Sequence, residues 1–141
     1  MKKNEKGFTL IELLAVIVIL AIIALITTPI VLNVISGARD DAAKNKMYGV
    51  IDAVRLAYTQ NQVSDNPVAA DANGKIVTDF ARSMNFGNDT TGTTISISGD
   101  KPTEGTVTVD TTTGKITASG IKFAGDNHTC KVEDDGKANC S

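Results

Sequence analysis

The sequence predicts an α+β protein in which one long N-terminal helix covers one face of a small antiparallel sheet. The residues up to Gln62 join an apolar run to an amphipathic helical repeat, whereas the residues from Val63 onward alternate apolar and polar side chains between turns. The chain of 141 residues allows one domain and an appendage. The net charge is −2, whereas proteins that bind duplex nucleic acid usually have an excess of basic residues. The chain has one His, so only one residue is a candidate for His-centred acid–base catalysis.

The first element is an apolar segment long enough to cross a membrane. Residues 13–26 carry no polar side-chain atom, and the run reaches Leu32 if Thr27, Thr28 and Pro29 are included. About twenty residues at a rise of 1.5 Å span about 30 Å, the thickness of a hydrocarbon core. The three Lys before the run predict a cytoplasmic N-terminus and export of the remaining chain. The run is too long for a secretory signal peptide.

An acidic residue lies at the start of this segment. Glu12 is the only charged residue between Gly7 and Ala38. A carboxylate is costly in a lipid-facing helix, so an acid at this position is a candidate functional residue. The structural alternative is a Glu at the headgroup level that interacts with the dipole at the N-terminus of its own helix.

The residues around Glu12 form a specific pattern. Residues 6–12, with the sequence KGFTLIE, precede the long apolar tract, and the combination resembles the leader and N-terminus of type IV pilins. The resemblance covers residues 6–39, and the uninterrupted tract is most similar to pilins of Gram-positive, clostridial-type bacteria. It implies cleavage between Gly7 and Phe8 by a prepilin peptidase, which would also N-methylate the new Phe8 amine.

The resemblance also implies the type IV pilin fold and a division of the chain into three parts. These are a leader peptide of residues 1–7, a transmembrane and filament-core helix of residues 8–36, and an exported globular head of residues 37–141. The head is expected to contain the amphipathic helix, a short loop helix, the antiparallel sheet and a C-terminal disulfide loop.

The function that the resemblance implies is structural, as the major subunit of a type IV pilus polymerised into a helical fibre on the cell surface. Its partners would be like subunits, the cytoplasmic membrane before assembly, the prepilin peptidase, and the assembly platform with its ATPase. No catalytic residue, cofactor, metal or specific nucleic acid is expected, and adhesion and twitching motility are activities of such fibres. The alternatives are a minor pilin or pseudopilin of a type II secretion-like or competence DNA-uptake machine, and a singly anchored surface adhesin or enzyme.

The resemblance assigns assembly to Phe8, Thr9 and Glu12. Cleavage would create a positive amine at Phe8, four residues before Glu12, so the two groups could pair within one chain. In a filament, the Glu12 carboxylate of one subunit can instead pair with the Phe8 amine of the next. The hypothesis is that this pair sets the axial register of incoming subunits, because an unpaired charge in the filament core is costly.

Helical periodicity continues beyond the apolar run and predicts one helix from Phe8 to about Gln62. Two positions weaken this helix, because Pro29 lacks an amide donor and Gly37 has a low helix propensity. In related filaments the segment near such a proline can lose helical structure on assembly, and the alternative is a modest kink in a continuous helix. The amphipathic part carries an apolar stripe of Ala43, Met47, Val50, Ile51, Val54, Ala57 and Tyr58.

One short helix and several strands are expected after Val63. The spacing of apolar residues predicts the helix over residues 76–84, through Ile76, Val77, Phe80, Ala81 and Met84. Strands are expected at residues 94–97, 106–109 and 115–118, and residues 121–123 and 129–132 extend the sheet. The helix stripe would cover the apolar face of this sheet, which consists of Ile95, Ile97, Val107, Val109, Ile116, Ile121 and Phe123.

Cys130 and Cys140 are the two cysteines of the chain and the predicted staple of a small core. Export would place them where disulfides persist, and the turn at residues 133–136 can bring them together. The resemblance agrees, since many type IV pilins close a C-terminal loop in this way. The alternatives are two reduced thiols, or a weakly indicated metal site formed by Asp126, His128 and Cys130.

Overall fold

The computed structural model describes residues 7–88 and 92–141, so the predicted leader, apart from Gly7, lies outside the described residues. The chain divides into two compact units, and the boundary falls between Ala38 and Arg39. Helix α1 spans Leu10–Gln62 and contributes residues to both units. All five strands belong to the second unit.

Helix α1 begins at Leu10, two residues later than predicted, and ends where it was predicted to end. It is helical at both Pro29 and Gly37. The hydroxyls of Thr27 and Thr28 each donate to a backbone carbonyl one turn earlier, at 2.9 and 2.7 Å. These bonds satisfy the only hydroxyls of the apolar run. Loss of helical structure near Pro29 during assembly remains a prediction.

The amphipathic part of α1 confirms the predicted apolar stripe. Its buried apolar residues are Ala43, Met47, Val50, Ile51, Val54 and Ala57. Tyr58 is half-buried against the same cluster, with its ring centroid 6.1 Å from that of Phe86. Asn61 is a buried polar residue whose side chain accepts from Val68 N–H at 2.7 Å and donates to the Val68 carbonyl at 3.3 Å. These two bonds attach the end of the helix to the segment that follows.

Five antiparallel strands form one sheet in chain order, β1 to β5, which confirms the α+β architecture. Their bounds are β1 Lys75–Asp79, β2 Pro102–Asp110, β3 Ile116–Phe123, β4 Cys130–Val132 and β5 Ala138–Cys140. One core cluster joins the helix stripe to the sheet. Every residue predicted for the apolar face is buried in that cluster, namely Ile95, Ile97, Val107, Val109, Ile116, Ile121 and Phe123.

Two predicted elements differ from the structure, and one strand was not predicted. The short helix at residues 76–84 is wrong, because Ile76, Val77 and Thr78 are consecutive β-branched residues that form strand β1. Ile76 and Thr78 point into the core and Val77 points outward, as a two-residue period requires. The strand at residues 94–97 is also wrong, since only an isolated bridge pairs Thr94 with Asn85. Strand β5 was not predicted.

Gly105 and Gly120 permit a close approach of β2 and β3. The register between these strands shifts on both sides of Glu104, and both glycines have positive φ, at 102° and 66°. A Cβ atom built on Gly105 would lie 2.5 Å from the carbonyl oxygen of Gly120. Gly105 is therefore required both by its backbone conformation and by the space around it.

Candidate processing and assembly site

The two residues of the predicted cleavage site lie before helix α1. Gly7 and Phe8 are in non-helical chain, and helix α1 starts at Leu10. The Phe8 side chain is 91 % exposed, and an added Cβ on Gly7 would meet nothing within 4 Å. The bond between them is thus held by neither helical hydrogen bonds nor side-chain packing within the described part of the chain.

Thr9 and Glu12 form a capping box at the start of α1. The Thr9 backbone N–H and the Thr9 hydroxyl both donate to Glu12 Oε2, each at 2.8 Å. In return, the Glu12 backbone N–H lies 3.4 Å from Thr9 Oγ1. Leu13 N–H donates to the Thr9 carbonyl at 3.3 Å, which closes the first helical turn. Thr9 is therefore the N-cap residue, and Glu12 occupies the position that a capping box reserves for Glu or Gln.

The capping box gives Glu12 a role that the sequence interpretation missed. The spacing of Thr9 and Glu12 matches the signature of Ser or Thr followed three residues later by Glu or Gln. It supports the structural alternative, in which the carboxylate interacts with the N-terminus of its own helix. Both bonds from Thr9 are accepted by Glu12 Oε2. The other carboxylate oxygen, Oε1, is a second acceptor on the same side chain.

The apolar part of α1 exposes its large side chains. From Leu10 to Ile35, every Leu, Ile and Val side chain is between 43 % and 83 % exposed. By length and composition the helix could cross a membrane. An apolar surface of this length requires a lipid or protein environment outside the described chain, because its exposure to water would be costly.

The two cysteines form the predicted disulfide. Cys130 and Cys140 lie opposite each other in the β4–β5 pair, and a disulfide joins them with their Cα atoms 4.1 Å apart. The bridge therefore closes the hairpin that ends the sheet. It also removes Cys130 as a thiolate, so the metal-site alternative loses its sulfur ligand.

Residues 2–28 match the family model described as the Prokaryotic N-terminal methylation motif. No curated protein and no solved structure matches the chain. The matched segment includes the predicted cleavage site, the capping box and all of the apolar residues 13–26. A methylation motif of this kind, also called a class III signal, implies processing by a prepilin peptidase and pilus-like assembly. Together with the apolar helix, it indicates membrane anchoring before surface display. Residues 2–28 thus carry a prepilin-type methylation motif, and the long helix with the antiparallel sheet forms a pilin-like α+β fold.

Proposed function

We propose that this chain is the major subunit of a type IV pilus. The membrane-held precursor is cleaved after Gly7, N-methylated at Phe8 and polymerised outward into a helical fibre. The observation that carries the proposal is the methylation motif followed directly by an apolar helical segment with exposed large side chains. In a filament, that segment packs against its copies in neighbouring subunits.

The packing of the apolar helices supplies only a small driving force for assembly. Each buried CH₂ contributes about 0.8 kcal/mol relative to water. The subunit leaves lipid and not water, however, and lipid already surrounds its apolar side chains, so the net gain is far smaller than this figure implies. By the resemblance to type IV pilins, the proposal includes an assembly ATPase and a membrane platform as partners.

Glu12 and Phe8 supply the polar contact within this apolar assembly. After cleavage, the Phe8 amine lies next to Thr9, the N-cap residue that Glu12 accepts from. A carboxylate with one oxygen bound to Thr9 can accept the Phe8 amine of an adjacent subunit with its other oxygen. In our proposal this intersubunit pair fixes the register at which a new subunit enters the fibre.

A minor pilin or a pseudopilin would carry the same N-terminal motif, so abundance in the fibre distinguishes the two functions. Removal of residues 1–7 takes away three Lys and one Glu, which leaves 11 basic and 15 acidic side chains. This acidic balance argues against gripping DNA, because nucleic-acid binding relies on Lys and Arg neutralising phosphates. The major-subunit proposal is therefore favoured over a DNA-uptake pseudopilin.

The test is mass spectrometry of fibres sheared from the cell surface and purified. The proposal requires this chain to be the main component and to begin with N-methyl-Phe8. Trace amounts of the processed chain would instead indicate a minor pilin or pseudopilin. An unassembled protein that still begins at Met1 would contradict the proposal and support a singly anchored surface protein.

A further inference from the structure

The only His of the chain lies between two carboxylates that come from different elements. His128 belongs to residues 124–129, which connect β3 to β4, and its side chain is 21 % exposed. Its Nε2 atom lies 2.9 Å from Asp40 Oδ1 of helix α1, and its Nδ1 atom contacts Asp126 Oδ1 of the connection itself. The His128 backbone N–H also donates to Asp126 Oδ1, at 3.1 Å.

This geometry selects one protonation state of the imidazole. A neutral imidazole has one nitrogen that donates and one that accepts, whereas an imidazolium donates from both. Ionised carboxylates can only accept. With Asp40 at one nitrogen and Asp126 at the other, only the imidazolium makes both hydrogen bonds. Deprotonation turns one ring nitrogen into a lone pair that faces a carboxylate oxygen.

The surrounding charges are also paired across elements. Lys46 of helix α1 lies 3.2 Å from Asp126 Oδ2 and 3.0 Å from Asp100 Oδ2. Arg39 of α1 lines the same surface cavity as Lys46, Asp126 and His128. The groups facing His128 are therefore two carboxylates that it contacts directly and two nearby cations on helix α1. Asp126 is shared, since His128 binds one of its oxygens and Lys46 the other.

These contacts shift the ionisation of the group. The hydrogen bond to Asp126, followed by that to Asp40, raises the pKa of His128 above its ordinary value. The hydrogen bonds from the His128 side chain and backbone lower the pKa of Asp126 to about 2. Both shifts favour the charged forms at neutral pH, as expected for opposite charges in contact.

We propose that His128 is a proton-operated clasp that holds residues 124–129 on helix α1. As an imidazolium it joins Asp126 to Asp40, and its deprotonation loosens the connection by removing this attachment, while Lys46 continues to bind Asp126. The release is local because both ends of the connection are fixed. Phe123 before it is buried in the core, and Cys130 after it is held by the disulfide. The clasp is independent of whether the chain is a major or a minor subunit.

The pH range of the clasp follows from the two pKa shifts. Because the His128 pKa is raised in the folded chain, the protonated imidazole stabilises the folded state. This stabilisation is complete below the ordinary His pKa of about 6.5 and is lost as the pH rises through the raised value. Because the Asp126 pKa is lowered, its ionised carboxylate also stabilises the folded state. This stabilisation is present above pH 3.8, the ordinary Asp pKa, and is lost as the pH falls to about 2. The clasp is therefore closed in weakly acidic solution and opens as the pH rises through the raised His128 pKa.

The first test is an NMR titration of the imidazole in the full chain held in detergent micelles. Because the chain has one His, its ring signal needs no assignment. We expect a midpoint above that of the urea-unfolded chain, and a lower midpoint in Asp40→Asn. Asp41→Asn is the matched control, since Asp41 is the neighbouring exposed acid and pairs with Lys44 instead. Equal midpoints in the folded and unfolded chains, or equal effects of the two variants, would overturn the proposal.

The second test measures the release itself by amide hydrogen exchange. We expect protection of the His128 amide, corrected for intrinsic rates, to fall about two- to fivefold between about pH 6 and about pH 9. His128→Gln should show low protection at both pH values, and the Val107 amide in the buried centre of β2 should show no pH effect in either protein. A pH-independent His128 amide in the unaltered chain would refute the clasp, and a change at Val107 would show general unfolding and refute a local release.

Discussion

At the scale of single residues, Glu12 combines two functions that different substitutions can separate. In the structure its carboxylate caps helix α1 through Thr9, and in the proposed filament its charge pairs with the Phe8 amine of another subunit. Gln can replace Glu in a capping box, but it carries no charge. Glu12→Gln therefore retains the cap and removes the charge, whereas Thr9→Ala removes the capping hydroxyl and retains the charge.

We expect Glu12→Gln to reduce sheared fibre yield at least about tenfold while the protein still reaches the membrane, because the intersubunit ion pair is lost. Thr9→Ala should reduce the yield much less, and Glu12→Val should be as defective as Glu12→Gln. The measurement compares immunoblots of sheared fibres and membrane fractions. Normal fibres from Glu12→Gln would show that capping, and not charge, is the contribution of this residue to assembly.

Two glycines with nearly the same backbone conformation allow steric crowding to be measured separately from backbone strain. Gly105 and Gly99 have φ of 102° and 99°, but an added Cβ meets the Gly120 carbonyl oxygen only at Gly105. We expect Gly99→Ala to lower the free energy of unfolding by about 1–2 kcal/mol. Gly105→Ala should cost at least about 2 kcal/mol more, because β2 and β3 must separate.

Thermal unfolding of the full chain in detergent, followed by near-ultraviolet circular dichroism, measures this difference. The shift in midpoint for Gly99→Ala is subtracted from that for Gly105→Ala. Equal shifts in the two variants would mean that the approach of β2 to β3 tolerates a methyl group.

At the scale of elements, helix α1 presents two kinds of apolar surface. The stripe from Ala43 onward is buried against the sheet, whereas the side chains from Leu10 to Ile35 are exposed. The first surface stabilises the head, and the second is available to lipid or to other subunits. Substitutions on the two surfaces should therefore affect different measurements.

Met47→Ala should lower the free energy of unfolding of the head by about 2–5 kcal/mol, because Met47 is fully buried in the core. Leu56→Ala is the matched control on the same helix, since Leu56 is largely exposed and its truncation should cost little. Chemical denaturation in detergent, followed by amide exchange of strand β2, measures both variants. A similar loss for Leu56→Ala would contradict the packing of the stripe.

Elements with a long, regular repeat were the ones that the sequence predicted well. The stripe of α1 recurs over about four turns, and all of its predicted members are buried or half-buried. Strand β1 is only five residues long, and the apolar spacing of Ile76, Val77 and Phe80 also fits a helix. Strand β5 has three residues, and its pairing depends on a distant partner, so periodicity carries little information there.

The site was predicted to the same uneven extent. Gly7, Phe8 and Glu12 belong to a contiguous motif, and the family match covers all three. The capping box has a local signature, Thr9 followed three residues later by Glu12, so the sequence alone could have indicated it. The contact of His128 with Asp40 joins residues 88 positions apart, which no local pattern can indicate.

At the scale of the whole molecule, the stability of the head depends on acids that act as acceptors in turns. Asp110 Oδ1 accepts from the backbone N–H groups of Thr112 and Thr113, each at 2.9 Å, in the turn between β2 and β3. The Thr113 N–H is the main cause of a lowered Asp110 pKa. The ionised Asp110 carboxylate therefore stabilises the folded head above the ordinary Asp pKa, and this stabilisation is lost as the pH falls through the lowered value.

We expect the head to become less stable as the pH falls below about 4, and Asp110→Asn to flatten part of this dependence because the variant has no carboxylate to protonate. Asp65→Asn, at an exposed position in the connection after α1, is the control. Denaturation midpoints measured across the acidic range give the comparison. Identical pH profiles for Asp110→Asn and the unaltered chain would show that this turn does not contribute to acid sensitivity.

The sequential order of the sheet has a consequence for biogenesis. Each strand pairs only with its neighbours in the chain, so every hairpin can close as soon as its second strand becomes available. Low contact order of this kind permits rapid, stepwise folding. If helix α1 stays in the membrane while the rest of the chain is exported, the strands emerge in the order in which they pair. The Cys130–Cys140 disulfide can then form last, because it joins the final two strands.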